Sequence, residues 1–512
     1  MKNKTTKMWG MNMITNVEKA VIIQMCFRNL FFILSRNIKV ITIKSHRWSF
    51  FPIGPRPYGA TESIPAFAAN PRGKSQAAPS VDASACRFRR QPPSGSTPFV
   101  LVALSALLLV ASASRSWSGG FGVREQSTTG LAVGYAGVAS GSAGLSSIFW
   151  NPATITLVPG LRSEIHGTLL LPRTYIRTEP GTSPFLGTAS SGDIAQDALI
   201  PATYHSAQIN SRLWVGLSAT APFGLSTKPN ADFAGQFYAR SSRASGIAVT
   251  PIVGFKVNDW LSIGLGGIAQ TFKITLKSAA APGPGAPSAI LDGSSTGFGV
   301  SAGFNVRLAA GTYFGLGYRS PISQSLRGSF NLPGVELPVE SKLTLPETVT
   351  AGLSHAVSDQ LALHLGFEWT NWSRLRESAV NGPFGPIDAA RIRLNYNNGW
   401  VLAFGATYQV SPIWTLKAGI GYEKSPINTA NRTTSLPDAT HRVWLTSGVS
   451  YRFNSKLDLD LTYSHVFFSK AAVSIVPGNP AYNPLAPLPF FGTAKSSLDV
   501  VSVALRYRWD TP

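Results

Sequence analysis

From about residue 161 to the C-terminus, apolar side chains fall at every second position in segments of roughly ten residues. Leu361, Leu363, Leu365, Phe367 and Trp369 share one face of such a segment, as do Trp414, Leu416, Ala418, Ile420 and Tyr422, and Leu457, Leu459, Leu461 and Tyr463. The last segment sets Val501, Val503, Leu505, Tyr507 and Trp509 against Ser502, Arg506 and Arg508. A period of two makes strands with one apolar and one polar face. Short turns such as Val257-Asn258-Asp259 and Ser358-Asp359-Gln360 separate some strands, and longer segments (174–200, 226–243, 278–294, 471–495) separate others. So many apolar stripes would leave a soluble sheet protein poorly covered. A closed barrel in lipid pairs every backbone polar group and turns those stripes to hydrocarbon. The expected fold is all-β, a transmembrane antiparallel β-barrel, with short turns in the periplasm and long loops outside.

Composition agrees. Charged residues are 13% of the chain, about half the usual share, while glycine numbers 48 and aromatics reach 11%. After residue 118 no run approaches the roughly 20 apolar residues of a membrane helix. Tyr318, Trp369, Trp372, Tyr408, Tyr422, Tyr451, Phe453 and Trp509 gather near strand ends and read as an interfacial girdle. The 471–495 loop is unusually apolar, with Pro484, Pro487, Pro489, Phe490 and Phe491, a patch that collects apolar solutes or packs on its neighbours.

The first 118 residues differ from the rest. They hold 16 of the 45 Lys/Arg residues, only 3 of the 24 Asp/Glu residues, and both cysteines, Cys26 and Cys86. The formal net charge of +21 therefore overstates the basicity of the remainder, and nucleic acid is not an expected partner. Phe99 to Ala111 is an apolar core of signal-peptide length, preceded by Arg87, Arg89 and Arg90 and followed by small residues. Residues 99–118 are read as a signal peptide, with candidate cleavage sites after Ala113 and after Ser118. A signal so deep in the chain suggests a misassigned start, with Val81 as an alternative, so 1–98 reads as a non-native or disordered extension. The organisation expected is then a hatch over 119–160 and the barrel over 161–512.

Between signal and strands lies Gly119-Gly120-Phe121-Gly122-Val123-Arg124-Glu125-Gln126, and then Ser146-Ser147-Ile148-Phe149-Trp150-Asn151-Pro152-Ala153. Further on come Ala221-Pro222-Phe223-Gly224-Leu225, Gly317-Tyr318-Arg319-Ser320, Leu345-Pro346-Glu347 and Trp369-Thr370-Asn371-Trp372-Ser373. Gly419-Ile420-Gly421-Tyr422, Ser425-Pro426, Leu436-Pro437-Asp438, Arg442, Trp444-Leu445 and Gly448 follow in order. In this order the motifs resemble the long-chain fatty-acid transport porins, a family that includes aromatic-hydrocarbon uptake channels, over about residues 119–509.

The resemblance implies about 14 strands around a small N-terminal hatch that plugs the lumen, working as a monomer without a cofactor. It places Phe121 near the ligand pocket, Asn151, Pro152 and Ala153 at the end of the hatch, and Gly224 at an inward kink in the third strand where ligand leaves sideways. A glycine permits such a break in strand pairing, and Asn-Pro fixes a turn. Lys273 and Lys277 fall near the family's basic ligand contact, and Arg319 is a second candidate. Two departures stand out. Ser140-Gly141-Ser142-Ala143-Gly144 replaces paired aspartates common before the Asn-Pro-Ala, and Asp510-Thr511-Pro512 extends past the final aromatic.

No catalytic pattern competes. The histidines show no metal-site spacing and no His-Glu-x-x-His, and no Gly-x-Ser-x-Gly elbow occurs in a strand-to-helix context. Gly264-Leu265-Gly266-Gly267 and Gly297-Phe298-Gly299 sit inside strands and are barrel glycines. The function expected is passive uptake of hydrophobic molecules across an outer membrane, fatty acids first and aromatic hydrocarbons as the alternative. An outer-membrane lipid-acting enzyme or a structural barrel are the readings of another class.

Overall fold

The computed structural model describes residues 120–509, apart from 284 and 485. The signal peptide, the extension, the alternative start and Asp510-Thr511-Pro512 lie outside the described residues.

Fourteen antiparallel strands close on themselves. They begin with β1 (Leu161–Thr178), β2 (Ala198–Gln208), β3 (Leu213–Thr227), β4 (Ser241–Lys256), β5 (Leu261–Ala279) and β6 (Ser288–Ala309). β7 (Thr312–Arg319 continuing as Ile322–Leu332) and β8 (Val335–Leu345 continuing as Thr348–Ala356) are each interrupted at a proline, Pro321 and Pro346, which has no N–H for the ladder. β9 (Leu361–Thr370), β10 (Gly399–Gln409), β11 (Trp414–Lys424), β12 (His441–Arg452), β13 (Leu457–Phe468) and β14 (Phe490–Arg508) complete the wall. β14 pairs with β1 from Arg162↔Arg508 to Thr178↔Gly492, which seals the barrel.

Across the membrane zone the alternation places apolar residues outward. Val503 is 42% exposed and Leu505 46%, whereas Ser502 between β1 and β13 is fully covered. Exposure of this kind is contact with lipid. Tyr318, Tyr408, Tyr422 and Phe453 are exposed as a girdle requires, but Trp372 is a correction: it is 5% exposed and points into the lumen.

Five turns at one end share a local device. Asn210, Asn258 and Asn454 each accept backbone N–H bonds from residues two and three ahead, and Ser358 and Ser411 do the same through their hydroxyls. The opposite end carries the long connections 179–197, 228–240, 371–398, 425–440 and 469–489. Two of these, 371–398 and 425–440, were not expected, while strands consume much of 278–294, leaving only 280–287 as a loop. Of the apolar 471–495 segment, Phe490 is buried against Phe233 with ring centroids 5.7 Å apart, so that residue packs on a neighbouring loop.

Residues 120–160 fill the lumen. Ser127 caps the short helix α1 (Thr128–Ala132), and three 3-10 turns follow, Val138–Ser140, Gly144–Phe149 and Pro152–Leu157. A belt of wall glycines seats them. Gly254, Gly264, Gly303 and Gly317 are register neighbours across β4 to β7, and Gly315, Gly352 and Gly366 across β7 to β9. A methyl at Gly317 would stand 1.9 Å from the Trp150 carbonyl oxygen, and one at Gly315 1.8 Å from that of Ala139. The hatch backbone thus lies directly on the barrel wall, a close approach that only glycine allows.

Candidate functional site

Asn151 pins the hatch. Its side-chain oxygen accepts the Ala153 N–H at 3.0 Å and caps the turn opened by Pro152, while its amide nitrogen donates to the carbonyls of Ala139 (2.6 Å) and Phe304 on β6 (2.9 Å). Ala153 is wholly buried, and its N–H lies 2.4 Å from where a Gly264 side chain would begin. Arg124 ties the start of the hatch to the wall through Glu368 (2.8 Å) and Glu423 (3.2 Å), and Glu423 also faces Arg442, which pairs with Asp438.

β3 leaves the wall where the sequence places Pro222. Pairing with β2 runs from Gln208↔Trp214 to Thr203↔Ala219 and ends there, and pairing with β4 shifts register between Thr220 and Phe223. From Gly224 to Thr227 every residue is buried, so the in-out alternation is lost and the strand bends inward. The hatch bonds to this inward stretch from the lumen side. The Val123 N–H donates to the Pro222 carbonyl (2.8 Å), the Gly224 N–H donates to Phe121 (2.9 Å), and Gln126 bonds both backbone groups of Ala221. Gly224 therefore sits just past the irregularity, in contact with the first hatch residues.

Above this point lies a cavity of about 760 Å³, lined by Phe121, Leu225, Phe272, Ile274, Tyr396 and the loop residue Tyr482, among others. Its floor is aromatic: Phe121 meets Phe223 (5.9 Å between ring centroids), Phe272 (5.9 Å) and Trp372 (5.3 Å). Beneath Phe223 and Trp372 is a smaller chamber of about 90 Å³ that also touches Pro222, Arg124 and Arg319. Arg319 lies over the Phe149 ring at 4.4 Å and donates to the Phe149 carbonyl at 3.1 Å. No carboxylate reaches ion-pair distance of it among the described residues.

Lys273 and Lys277 stand elsewhere. They share the odd, outward parity of Ile263 and Leu265, while Phe272, Ile274 and Leu276 between them line the cavity. The pleat puts both side chains on the outer face of the wall and away from the cavity lining. Counting in twos from Leu265 would have shown it. Sequence reasoning also missed the aromatic floor. Trp372 and Phe223 lay in noted motifs, but nothing in one dimension says that four rings from hatch, β3, β5 and a loop converge.

His–hydroxyl pairs occur in the wall. Ser354 bonds His364 Nδ1 at 2.9 Å, but the other ring nitrogen meets Thr407 and not a carboxylate, and Ser354 also meets the hatch hydroxyl of Ser140. The Ser354–His364 pair thus lacks the orienting carboxylate of a hydrolytic triad, and at His166, where Thr128 meets Nδ1 (3.2 Å) and Glu164 meets Nε2 (3.2 Å), all three residues are buried between hatch and wall. Among the described residues no cluster of His, Cys, Asp and Glu is arranged to hold a metal.

Residues 109–509 match a family described as outer membrane protein transport protein (OMPP1/FadL/TodX). The long-chain fatty acid transport protein of Salmonella typhi is 27% identical over 407 residues, covering 72% of this chain and 92% of its own length. Outer membrane protein P1 of Haemophilus influenzae is 26% identical over 411 residues, covering 71% and 88%. Among solved structures, that of a Pseudomonas aeruginosa FadL homologue superposes with a TM-score of 0.67 at 23% identity, over 76% of this chain and all of the other. The Pseudomonas putida toluene transporter TodX gives 0.57 at 16% identity, over 75% and 99%. At these identities the superpositions show the fold.

Proposed function

The chain belongs to the OMPP1/FadL/TodX family of outer-membrane transport proteins, and on that premise we propose that it carries long-chain fatty acids, passively and as a monomer, from the cell exterior to a lateral exit in the barrel wall. It is an outer-membrane β-barrel that transports hydrophobic molecules. Ligand enters the 760 Å³ cavity, whose size is that of pockets which enclose small organic molecules. Each methylene taken out of water contributes about 0.8 kcal/mol, so an apolar cavity collects long chains without further chemistry.

The observation that carries the fatty-acid reading is Arg319. A half-buried guanidinium with no carboxylate at ion-pair distance among the described residues is costly, and an incoming fatty-acid carboxylate supplies the direct partner that Glu368, farther off in the same chamber, does not. Phe121 closes the floor between the two chambers and is bonded through its carbonyl to Gly224, so displacement of the hatch start opens the floor and frees the inward stretch of β3 together. Ligand then leaves through the break in the β2–β3 ladder. The aromatic floor favours a second reading, uptake of monoaromatic hydrocarbons, for which Arg319 has no partner to offer. The wall hydroxyls and histidines are structural in both readings, and no hydrolytic step is proposed.

Residues 119–512, expressed behind a working signal in a Gram-negative host without its own fatty-acid porin, separate these readings. Restored uptake of labelled oleate supports the fatty-acid channel. Toluene uptake alone moves the chain to the hydrocarbon reading, and uptake of neither by a folded, surface-located barrel refutes both.

A further inference from the structure

Lys273 and Lys277 belong to a layered outer surface of the barrel wall, away from the cavity. On β4 to β8 the outward residues change in order from the periplasmic end upward. An apolar layer comes first, including Val253 on β4, Leu265 on β5, and Phe298 and Val300 on β6. Hydroxyls follow: Ser245, Thr271, Thr296, Ser323 and Thr344 all take outward positions. Then come cations: Arg243, Lys273, Lys277, Arg327 and Lys342.

The register brings the cations together. Arg243 pairs with Thr275, so Lys273 and Lys277 are its two diagonal neighbours on the same face, about 7–8 Å away. Lys273 faces Ser294, and Ser294 faces Arg327, which places Arg327 two strands from Lys273, about 10 Å. Ser325 pairs with Lys342 in the next strand. Lys273 is twelve residues above Leu261, a rise of about 28 Å for a strand tilted near 45°. The apolar band of such barrels is about 25 Å tall, so these cations stand at the headgroup level of the outer leaflet.

Carboxylates are present but do not close the patch. Asp292 beside Thr275 accepts a bond from Ser329, Glu340 stands directly across from Arg327 on β8, and Glu336 lies farther up that strand opposite Asn331. None is within 4 Å of any of the five cations among the described residues. The β1–β14 side behaves differently at the same level: Arg173 is paired with Asp193 and Asp197, and Arg177 with Glu179.

We propose that Arg243, Lys273 and Lys277, with Arg327 and Lys342 beside them, bind the phosphates of a phosphorylated outer-leaflet lipid on the outer wall of β4 to β8. Charge complementarity and headgroup height select this occupant. A stack of apolar, hydroxyl and cationic layers matches acyl chains, sugar or glycerol, and phosphate in the same order.

The test titrates the protein, purified from outer membranes in an uncharged maltoside detergent, with diphosphoryl lipid A and counts bound lipid by native mass spectrometry. Each surface cation is worth about a fivefold change in affinity for an anionic lipid. The Arg243→Ser/Lys273→Ser/Lys277→Ser variant should therefore bind about a hundredfold more weakly. Arg173→Ser/Arg177→Ser, which removes cations already paired, should bind as the parent does, and dephosphorylated lipid A should not distinguish triple variant from parent. If the triple variant fails to fold, judged by heat-modifiable migration, the Lys273→Ser/Lys277→Ser pair carries the test with a loss of about 25-fold. Equal lipid A binding by parent and variant overturns the proposal, as does displacement of the lipid by millimolar inorganic pyrophosphate, which would mark a site for free phosphate. Oleate and toluene uptake need not change, so failure here is separable from failure of the transport reading.

Discussion

Replacing Gly317 by alanine should unseat the hatch. The new methyl would begin 1.9 Å from the Trp150 carbonyl oxygen and 3.0 Å from the Asn151 Cα, so the hatch backbone must withdraw by about 1.5 Å to reach ordinary contact. Such overpacking costs about 1–3 kcal/mol. The displaced residue is Asn151 or its neighbour, and its bonds to Ala139, Phe304 and Ala153 are worth about 1 kcal/mol each. A combined loss of about 3–5 kcal/mol raises the ratio of displaced to seated hatch by roughly a hundredfold or more. The assay is ion conductance of single barrels in a planar bilayer, where a displaced hatch gives open events that the parent rarely shows. Gly267→Ala is the control: it too lies within a strand, but nothing stands within 4 Å of the added carbon. A Gly317→Ala record indistinguishable from that of Gly267→Ala would refute the idea that the glycine belt is the seat.

Gly224→Trp should fill the break between β2 and β3 and cut oleate uptake while surface expression and heat-modifiable folding persist; unchanged uptake would remove the lateral exit. Arg319→Gln takes away a charged hydrogen-bond donor worth about 1.5–3 kcal/mol, so oleate binding should weaken about 10- to 100-fold while toluene uptake holds, and equal loss of both would mean a structural role. Glu125, 1% exposed in the hatch with neither carboxylate oxygen in a well-formed hydrogen bond, has its pKa pushed up to about 7 by burial, with its own amide and Arg124 pulling the other way. A carboxyl raised from 4.5 to about 7 stabilises the seated hatch most below pH 4.5, and that contribution, at most about 3 kcal/mol, is lost as pH rises through 7. Open events should thus become more frequent between pH 5 and pH 8 in the parent, and Glu125→Gln should flatten that dependence.

Much of this protein is legible in one dimension. Period-two alternation specifies strands, and apolar stripes without a soluble partner specify a membrane barrel, because only closure satisfies the backbone in lipid. Asn and Ser at 210, 258, 358, 411 and 454 specify the short turns through side-chain bonds to their own backbone. Asn151-Pro152-Ala153 specifies the end of the hatch, since the asparagine caps the turn that proline opens. These features depend on neighbours along the chain, and the chain therefore records them.

What the sequence could not assign was the meaning of each face, and β5 shows why. In the membrane zone its outward residues are apolar, such as Leu265, and its inward ones small or polar, such as Gln270. Above the membrane the same pleat runs on, but the surroundings are reversed: Phe272, Ile274 and Leu276 now face an apolar cavity, and Lys273 and Lys277 face water and headgroups. The alternation is unbroken, so no change of period marks the exchange. Only the height of the residue in the closed barrel decides it. Trp372 was misplaced on the girdle for the same reason, and the convergence of Phe121, Phe223, Phe272 and Trp372, like the lack of an ion-pair partner for Arg319 among the described residues, exists only once strands far apart in sequence share one lumen.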